Sequence, residues 1–266
     1  CYKMSYIMNI VPAFVEEDYM TAASNFKSAM YFELSDVQLL NGSKQNYTKD
    51  WKSVDYDLVS ERRLGAQMKR KDVFKDIIPT ILANTTDDLS KAKAIYNYIK
   101  KQIRWNNYYG KYSEETIKNA LDNRSGNVAD INLSLIAALS AANLDAEAVI
   151  LSTRDNGNVN KLNPVISEFN YIIAKLNIGK ESYLLDATDP LLPFGLLPLR
   201  CINGEGRVIN LKKPSYWIDL KAAQKSTTSY VLTGKLENDG KIKGLLTSTT
   251  VGYAAHNRRK EIKKYN

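Results

Sequence analysis

The sequence predicts an α+β protein, with helices first and an antiparallel sheet after them. Three observations lead there. Apolar residues recur at helical spacing in several segments before residue 143, and the last of these segments is apolar on nearly every face. From Ala146 onward the text changes to short β-rich runs separated by Gly- and Asn-containing turns. A chain of 266 residues, 44% hydrophobic and 25% charged, is large enough for one substantial core with smaller appendages.

Residues 1–47 mix extended and turn signals. Met30-Tyr31-Phe32-Glu33-Leu34 suits a strand and Asn41-Gly42 a turn, as in the tail of a β domain. From Tyr47 helical spacing takes over in 50–63 and 72–82, with Pro79 near a helix start or kink. The clearest helix follows, with Leu89, Ala92, Tyr96, Ile99 and Ile103 on one stripe and Thr85 with Asp88 as its capping pair. Tyr108, Tyr109 and Tyr112 occupy the next loop, where they either fill the core or line a cleft, and a short helix comes near 114–122.

Arg124-Ser125-Gly126-Asn127-Val128-Ala129-Asp130 is a polar entry into the most apolar helix, 128–142. Ile131, Leu135, Ala138 and Ala142 mark one face of it, and Leu133, Ile136 and Leu139 make other faces apolar too. The N–H groups of its first turn have no intrahelical acceptor and carry partial positive charge, a setting that favours a thiolate or an oxyanion. Asn143 suits a left-handed cap. Residues 146–152 read as a strand, 155–158 break it, and 169–176 with 182–186 read as a hairpin joined through Gly179. The Pro- and Leu-rich segment 190–200 is expected to lie across the sheet, with a strand at 207–211. A linker from Pro214 leads to a hairpin, 228–236 and 241–248, around Asn238-Asp239-Gly240. The expected regions are 1–47, 48–213 and 214–266.

The net charge of +8 permits nonspecific attraction to an anionic partner. Lys and Arg are scattered, however, and Arg258-Arg259-Lys260 with Lys263-Lys264 stands at a chain end without any nucleic-acid motif, so no specific nucleic-acid partner is expected. No run approaches the length of a membrane span. Cys1 and Cys201 form no framework and no Cys/His cluster, so neither a metal nor any other cofactor is expected. Cys1 is read as a boundary within a longer chain, with a lipidated first residue as the alternative.

The run Ser125-Gly126-Asn127-Val128-Ala129-Asp130 resembles the start of the central helix in the transglutaminase-like (papain-like) superfamily. There a Gly, a small polar residue and the nucleophilic Cys open the helix, and Val128 stands at the Cys position. Glu168-Phe169-Asn170-Tyr171-Ile172-Ile173 resembles the strand carrying the catalytic His, which falls at Tyr171, or at Asn170 in a register slipped by one. Leu184-Leu185-Asp186-Ala187-Thr188 resembles the strand ending in the orienting Asp. Trp105-Asn106-Asn107-Tyr108-Tyr109-Gly110 and the words around Leu192 to Cys201 are similar to a Bacteroidetes-type subfamily. That resemblance implies a transglutaminase-like core between two domains of unknown function, contacts with those domains, and a place in the periplasm or cell envelope.

A thiol hydrolase or acyltransferase needs a nucleophile, a base and a group that orients the base. Of the three, only Asp186 fits. Two substitutes are weighed: Cys201 with His256, the single histidine, and a carboxylate pair of Asp130 with Asp186. Structural roles compete with these, Asp130 at a positive helix end and Asp186 bonded to Tyr171. The reading that needs no nucleophile is a binding module for a peptide or glycan, using Trp105, Asn127, Asp130, Asn170, Tyr171 and Asp186, or a structural part of a larger envelope protein. The alternative is an active hydrolase or acyltransferase with a non-standard site.

Overall fold

A computed structural model describes residues 3–18, 20–30, 32, 34–46 and 50–265. Cys1, the expected boundary at Tyr47, and Tyr31 and Glu33 of the expected first strand lie outside the described residues. Met30, Phe32 and Leu34 of that strand carry no pairing, and the first strand, β1 (Asp36–Gln38), instead pairs with β2 (Lys44–Asn46) around Gly42, whose φ of 83° the turn requires.

The helical half begins with α1 (Trp51–Ser60), capped by Asp50. It continues through α2 (Gly65–Met68), a 3-10 turn at Lys71–Phe74, and α3 (Ile78–Leu82), which has Pro79 in its first turn. The single helix expected over 72–82 is therefore split. In α4 (Asp88–Gln102) the cap is Asp87 with Ser90 as its reciprocal partner, rather than Thr85 with Asp88; Thr85 donates instead to Leu82 O. The aromatic loop is preceded by β3 (Arg104–Trp105), which runs parallel to β4 (Ser125–Gly126) just after α5 (Ile117–Asn123).

The helix α6 (Val128–Ala141) is enclosed, with every residue from Val128 to Leu139 buried. That enclosure explains its apolar faces, because a helix with neighbours all round has no wet side to keep polar. Asn143, at φ 61°, turns the chain out of it. A five-stranded antiparallel sheet packs against α6 in the order β7 (Glu181–Leu185), β6 (Tyr171–Ile178), β5 (Asp145–Leu151), β8 (Glu205–Ile209), β9 (Tyr216–Asp219). The expected linker after Pro214 thus contains the edge strand β9, and Leu220 beyond it is buried in the core.

The sheet carries its own clamps. Arg207 holds Asp55 of α1 through two hydrogen bonds and lies over the rings of Trp51 and Trp217. On β6, Lys175 meets Glu147 of β5, and the carboxylate also accepts from Asn177, Asn210 and Tyr216. Burial opposes the charge on Glu147, yet these donors outweigh it and hold the carboxyl at about 2.

Beyond the sheet, β10 (Thr227–Leu236) and β11 (Ile242–Val251) form a two-stranded ribbon exposed on both faces. The helix α7 (Gly252–Lys263) returns from it to the core: Tyr253 donates to Leu197 O, and His256 and Lys260 both reach Asp189. The sequence gives little sign of this helix, because it has no apolar stripe. The fold is α+β, and among the described residues no helix is long and apolar enough to cross a membrane.

Candidate functional site

The turn into α6 is held by a reciprocal cap. Asn127 Oδ1 accepts from Asp130 N, and Asp130 Oδ2 accepts from Asn127 N, both at 2.9 Å. Asp130 also accepts from Ser113 Oγ and Glu114 N, and Asn127 Nδ2 donates to Tyr112 O, so the cap sews the preceding loop to the helix start. Gly126 is needed for this closeness: a Cβ there would lie 2.6 Å from Cβ of Asp130. Burial raises the Asp130 pKa despite its hydrogen bonds.

Val128 is the first residue of α6 and is wholly buried. Its N–H donates to Tyr108 O at 3.2 Å. The expectation of free amides from Asn127 to Asp130 is therefore corrected at three positions, since the Asn127 and Asp130 amides are taken by the reciprocal cap and the Val128 amide by the aromatic loop. Closing the loop over the helix end satisfies these donors without an external anion.

Tyr171, the first residue of β6, lies against the end of β7. Its hydroxyl donates to Asp186 Oδ2 at 2.7 Å and accepts from Nε and Nη2 of Arg200 at 3.0 and 2.8 Å. Asp186 follows the last residue of β7, and its Oδ1 accepts from Asn132 Nδ2 of α6 and from Thr188 N. Asn132 in turn bonds Ile172 O and Ala187 N, which ties α6 to both strands. Tyr96 caps the arrangement by donating to Asp186 O. Arg200 is the element that sequence reasoning missed. Its Nη2 lies 3.6 Å from Asp186, and its guanidinium carbon is 4.8 Å from the Trp105 ring centre and 5.3 Å from that of Tyr171.

The electrostatics follow from burial and pairing. Burial first, and Asp186 second, push the Tyr171 hydroxyl well above its usual pKa, so it remains a neutral donor. Burial works against the charge of Arg200, but Tyr171 and Asp186 outweigh it and raise the guanidinium pKa further. Cys201 lies 4.0 Å from Asp186, and burial together with that carboxylate pushes its thiol well up.

Of the sequence-derived residues, Trp105, Tyr171 and Asp186 are brought together around Arg200, and Val128 joins them through the loop of Tyr108 and Tyr109. Asn127 and Asp130 sit in the cap network. Asn170 is turned to Thr153, bonding its N–H and its hydroxyl. Asp130 and Asp186 belong to separate networks and share no hydrogen-bond partner. His256 lies on α7 against Asp189 and Leu191 O, and no hydrogen bond joins it to Cys201. Among the described residues no group of His, Cys, Asp and Glu is gathered to hold a metal ion.

Residues 75–179 match the family model described as the transglutaminase-like superfamily. No curated protein matches the chain. Among solved structures it is similar to a candidate protease from Parabacteroides distasonis, at 14% identity and a TM-score of 0.47, over 73% of this chain and 36% of that one. It is also similar to a candidate cysteine protease from Cytophaga hutchinsonii, at 16% identity and a TM-score of 0.37, over 77% of this chain and 60% of that one. The chain thus spans less than two thirds of either structure.

Proposed function

Because this chain belongs to the transglutaminase-like superfamily through its core at 75–179, we propose that it is a non-catalytic member of it, a module that binds a peptide or glycan or braces a larger envelope protein. The observation that carries the reading is Val128. The position that resembles the nucleophile's holds a buried hydrocarbon side chain, and the amide beside it already bonds Tyr108 O. Neither a nucleophile nor an open oxyanion donor is left at that residue.

The rest of the triad position supports the same reading. Tyr171 occupies the place of the base, and its hydroxyl is a neutral donor to Asp186. Arg200 supplies the positive charge that a base would acquire only on protonation, and it cannot give that proton up. What remains for a ligand is the rim, where Tyr108 and Tyr109 are exposed and Trp105 is half-buried.

The test is incubation of the chain with a glutamine-containing peptide and a primary amine, followed by mass spectrometry. The expected result is an unchanged peptide. Hydrolysis or amine incorporation that disappears in Cys201→Ala would overturn the reading. An envelope setting rests on the resemblance alone, and fractionation of cells producing the full-length parent tests it; recovery in the cytoplasm would remove it.

A further inference from the structure

Arg200 commits only part of its guanidinium to the protein. Nε and Nη2 converge on the Tyr171 hydroxyl, and the remaining N–H of Nη2 reaches Thr188 Oγ1 at 2.8 Å. Among the described residues Nη1 has no hydrogen-bond partner. No buried side-chain nitrogen there lacks one, so Nη1 meets solvent. The guanidinium carbon lies 4.8 and 5.9 Å from the centres of two parallel rings, Trp105 and Tyr109, whose planes differ by 3°. The loop adds flat apolar surface, with Tyr108 exposed by 69% and Tyr109 by 43%.

We propose that Nη1 of Arg200, walled by Trp105 and Tyr109, binds the carboxylate of a peptide, with an apolar or aromatic side chain next to that carboxylate lying on Tyr108 and Tyr109. The inference rests on the non-catalytic reading, in which a bound peptide stays intact. A guanidinium whose fork is fixed from behind is preorganised, because its rotamer entropy is already lost before the ligand arrives. Asp186 balances its formal charge, so the attraction comes from charge-assisted hydrogen bonds and ring contact rather than from a bare cation.

The polar inventory favours a peptide over a sugar. A hydroxyl-rich ligand needs several unengaged donors and acceptors, but apart from the exposed Tyr108 and Tyr109 hydroxyls the candidate polar side chains around the site are already engaged within the protein. Asn127 and Asp130 bond each other and the loop, Asn170 bonds Thr153, and Asp186 takes Tyr171, Asn132 and Thr188. The pair of N–H groups on Nη1 and the adjoining rings fit one carboxylate and one apolar group.

The test uses the whole chain, isotope-labelled, titrated with N-acetyl-alanyl-phenylalanine as the free acid and as its amide, and separately with glucuronate and glucose. Shifts of the Trp105 indole and Arg200 Nε–H resonances are the readout. The free acid is expected to bind with a Kd on the order of 1 mM, at least about tenfold tighter than the amide. Arg200→Lys keeps the charge but loses Nη1, and should bring the acid and amide to equal affinity. Trp105→Leu leaves the Tyr171 and Asp186 bonds in place and should weaken the acid several-fold in a folded protein. Equal binding of acid and amide by the native chain, no shifts up to about 10 mM, or shifts with glucuronate but not with the peptide acid would each overturn the inference. The peptide's mass after the titration separates the two claims. An intact peptide that fails to bind removes this inference alone, whereas a cleaved or crosslinked one removes the non-catalytic reading.

Discussion

Strand β6 carries two clusters built from the same three kinds of residue, four positions apart. At its start Tyr171 stands with Asp186 and Arg200; farther along, Lys175 stands with Glu147 and Tyr216. In the second cluster all three members come from the sheet, and Asn177 and Asn210 complete the carboxylate's partners. In the first, the cation arrives from a single 3-10 turn, Leu199–Cys201, outside the sheet, and one end of it faces outward near aromatic rings. A tyrosine, a carboxylate and a cation therefore make a closed lock in one place and a partly open notch in the other. What distinguishes them is which backbone element delivers the cation.

The largest effect expected is on the first carboxylate. Asp186→Asn should cost about 3–5 kcal/mol, because Asp186 is wholly buried and its oxygens accept from Tyr171, Asn132 and Thr188, so an amide nitrogen in place of one oxygen faces a donor as the charge is lost. Glu147→Gln should cost less, about 1–3 kcal/mol, since the Lys175 ammonium keeps Asn177 as a partner. Urea denaturation of both variants measures this, and a reversed order would break the contrast between the two clusters.

Removing the hydroxyls sharpens it. Tyr171→Phe strands two Arg200 donors inside the protein and should cost about 1–3 kcal/mol. Tyr216→Phe, whose ring is 39% exposed and whose partner keeps three other donors, should cost less than about 1 kcal/mol. Equal losses in thermal unfolding would mean that the first hydroxyl is no more enclosed than the second.

Acid should find Glu147. Its folded pKa of about 2 lies below its ordinary value of 4.5, so its contribution is complete above 4.5 and is lost as the pH falls from there through about 2. Denaturation midpoints followed over that window should fall more steeply in the native chain than in Glu147→Gln. Parallel slopes would assign the acid sensitivity to other carboxylates.

The smallest effect on stability is expected from Val128→Cys, below about 1.5 kcal/mol because the volumes are close. Its chemical consequence depends on Arg200. Combined with Tyr171→His, it sets an imidazole between the Asp186 carboxylate, which favours its protonation, and the Arg200 guanidinium, which opposes it, so removing the guanidinium should raise that histidine's pKa. The NMR titration has only His256 as a second histidine signal. Alkylation of the new thiol as a function of pH should show a weaker imidazolium effect than a bare triad would, and further removal of the guanidinium should strengthen it. A histidine pKa that does not move when the guanidinium is removed would mean that residue 171 does not meet Arg200 as the tyrosine does.

What was legible in the sequence follows from how local each signal is. The placing of Asp186 beside Tyr171 comes from the resemblance to the superfamily's strands, whereas the enclosed helix and the hairpin through Gly179 were readable because repeated apolar spacing and turn residues lie within a few positions of each other. Arg200 was not, because it sits in a Pro- and Leu-rich segment without periodicity and its main partner is 29 residues away. Strand β9 was missed because Tyr216, Trp217 and Ile218 are too short a run after Pro214 to show alternation. The cap of α4 was misplaced for a related reason: Thr85, Thr86, Asp87 and Asp88 all offer a side-chain oxygen, and only the extended backbone at Asp87 selects the one that caps.

The exposed ribbon has a mechanical meaning. Each of its strands has ten residues, so it reaches roughly 34 Å from its base. At that base α7 is pinned to the segment 189–197 by Tyr253, His256 and Lys260. Arg200 lies only three residues farther along the same segment. A load on its tip would be borne at α7 and the segment 189–197, the stretch that continues into Arg200.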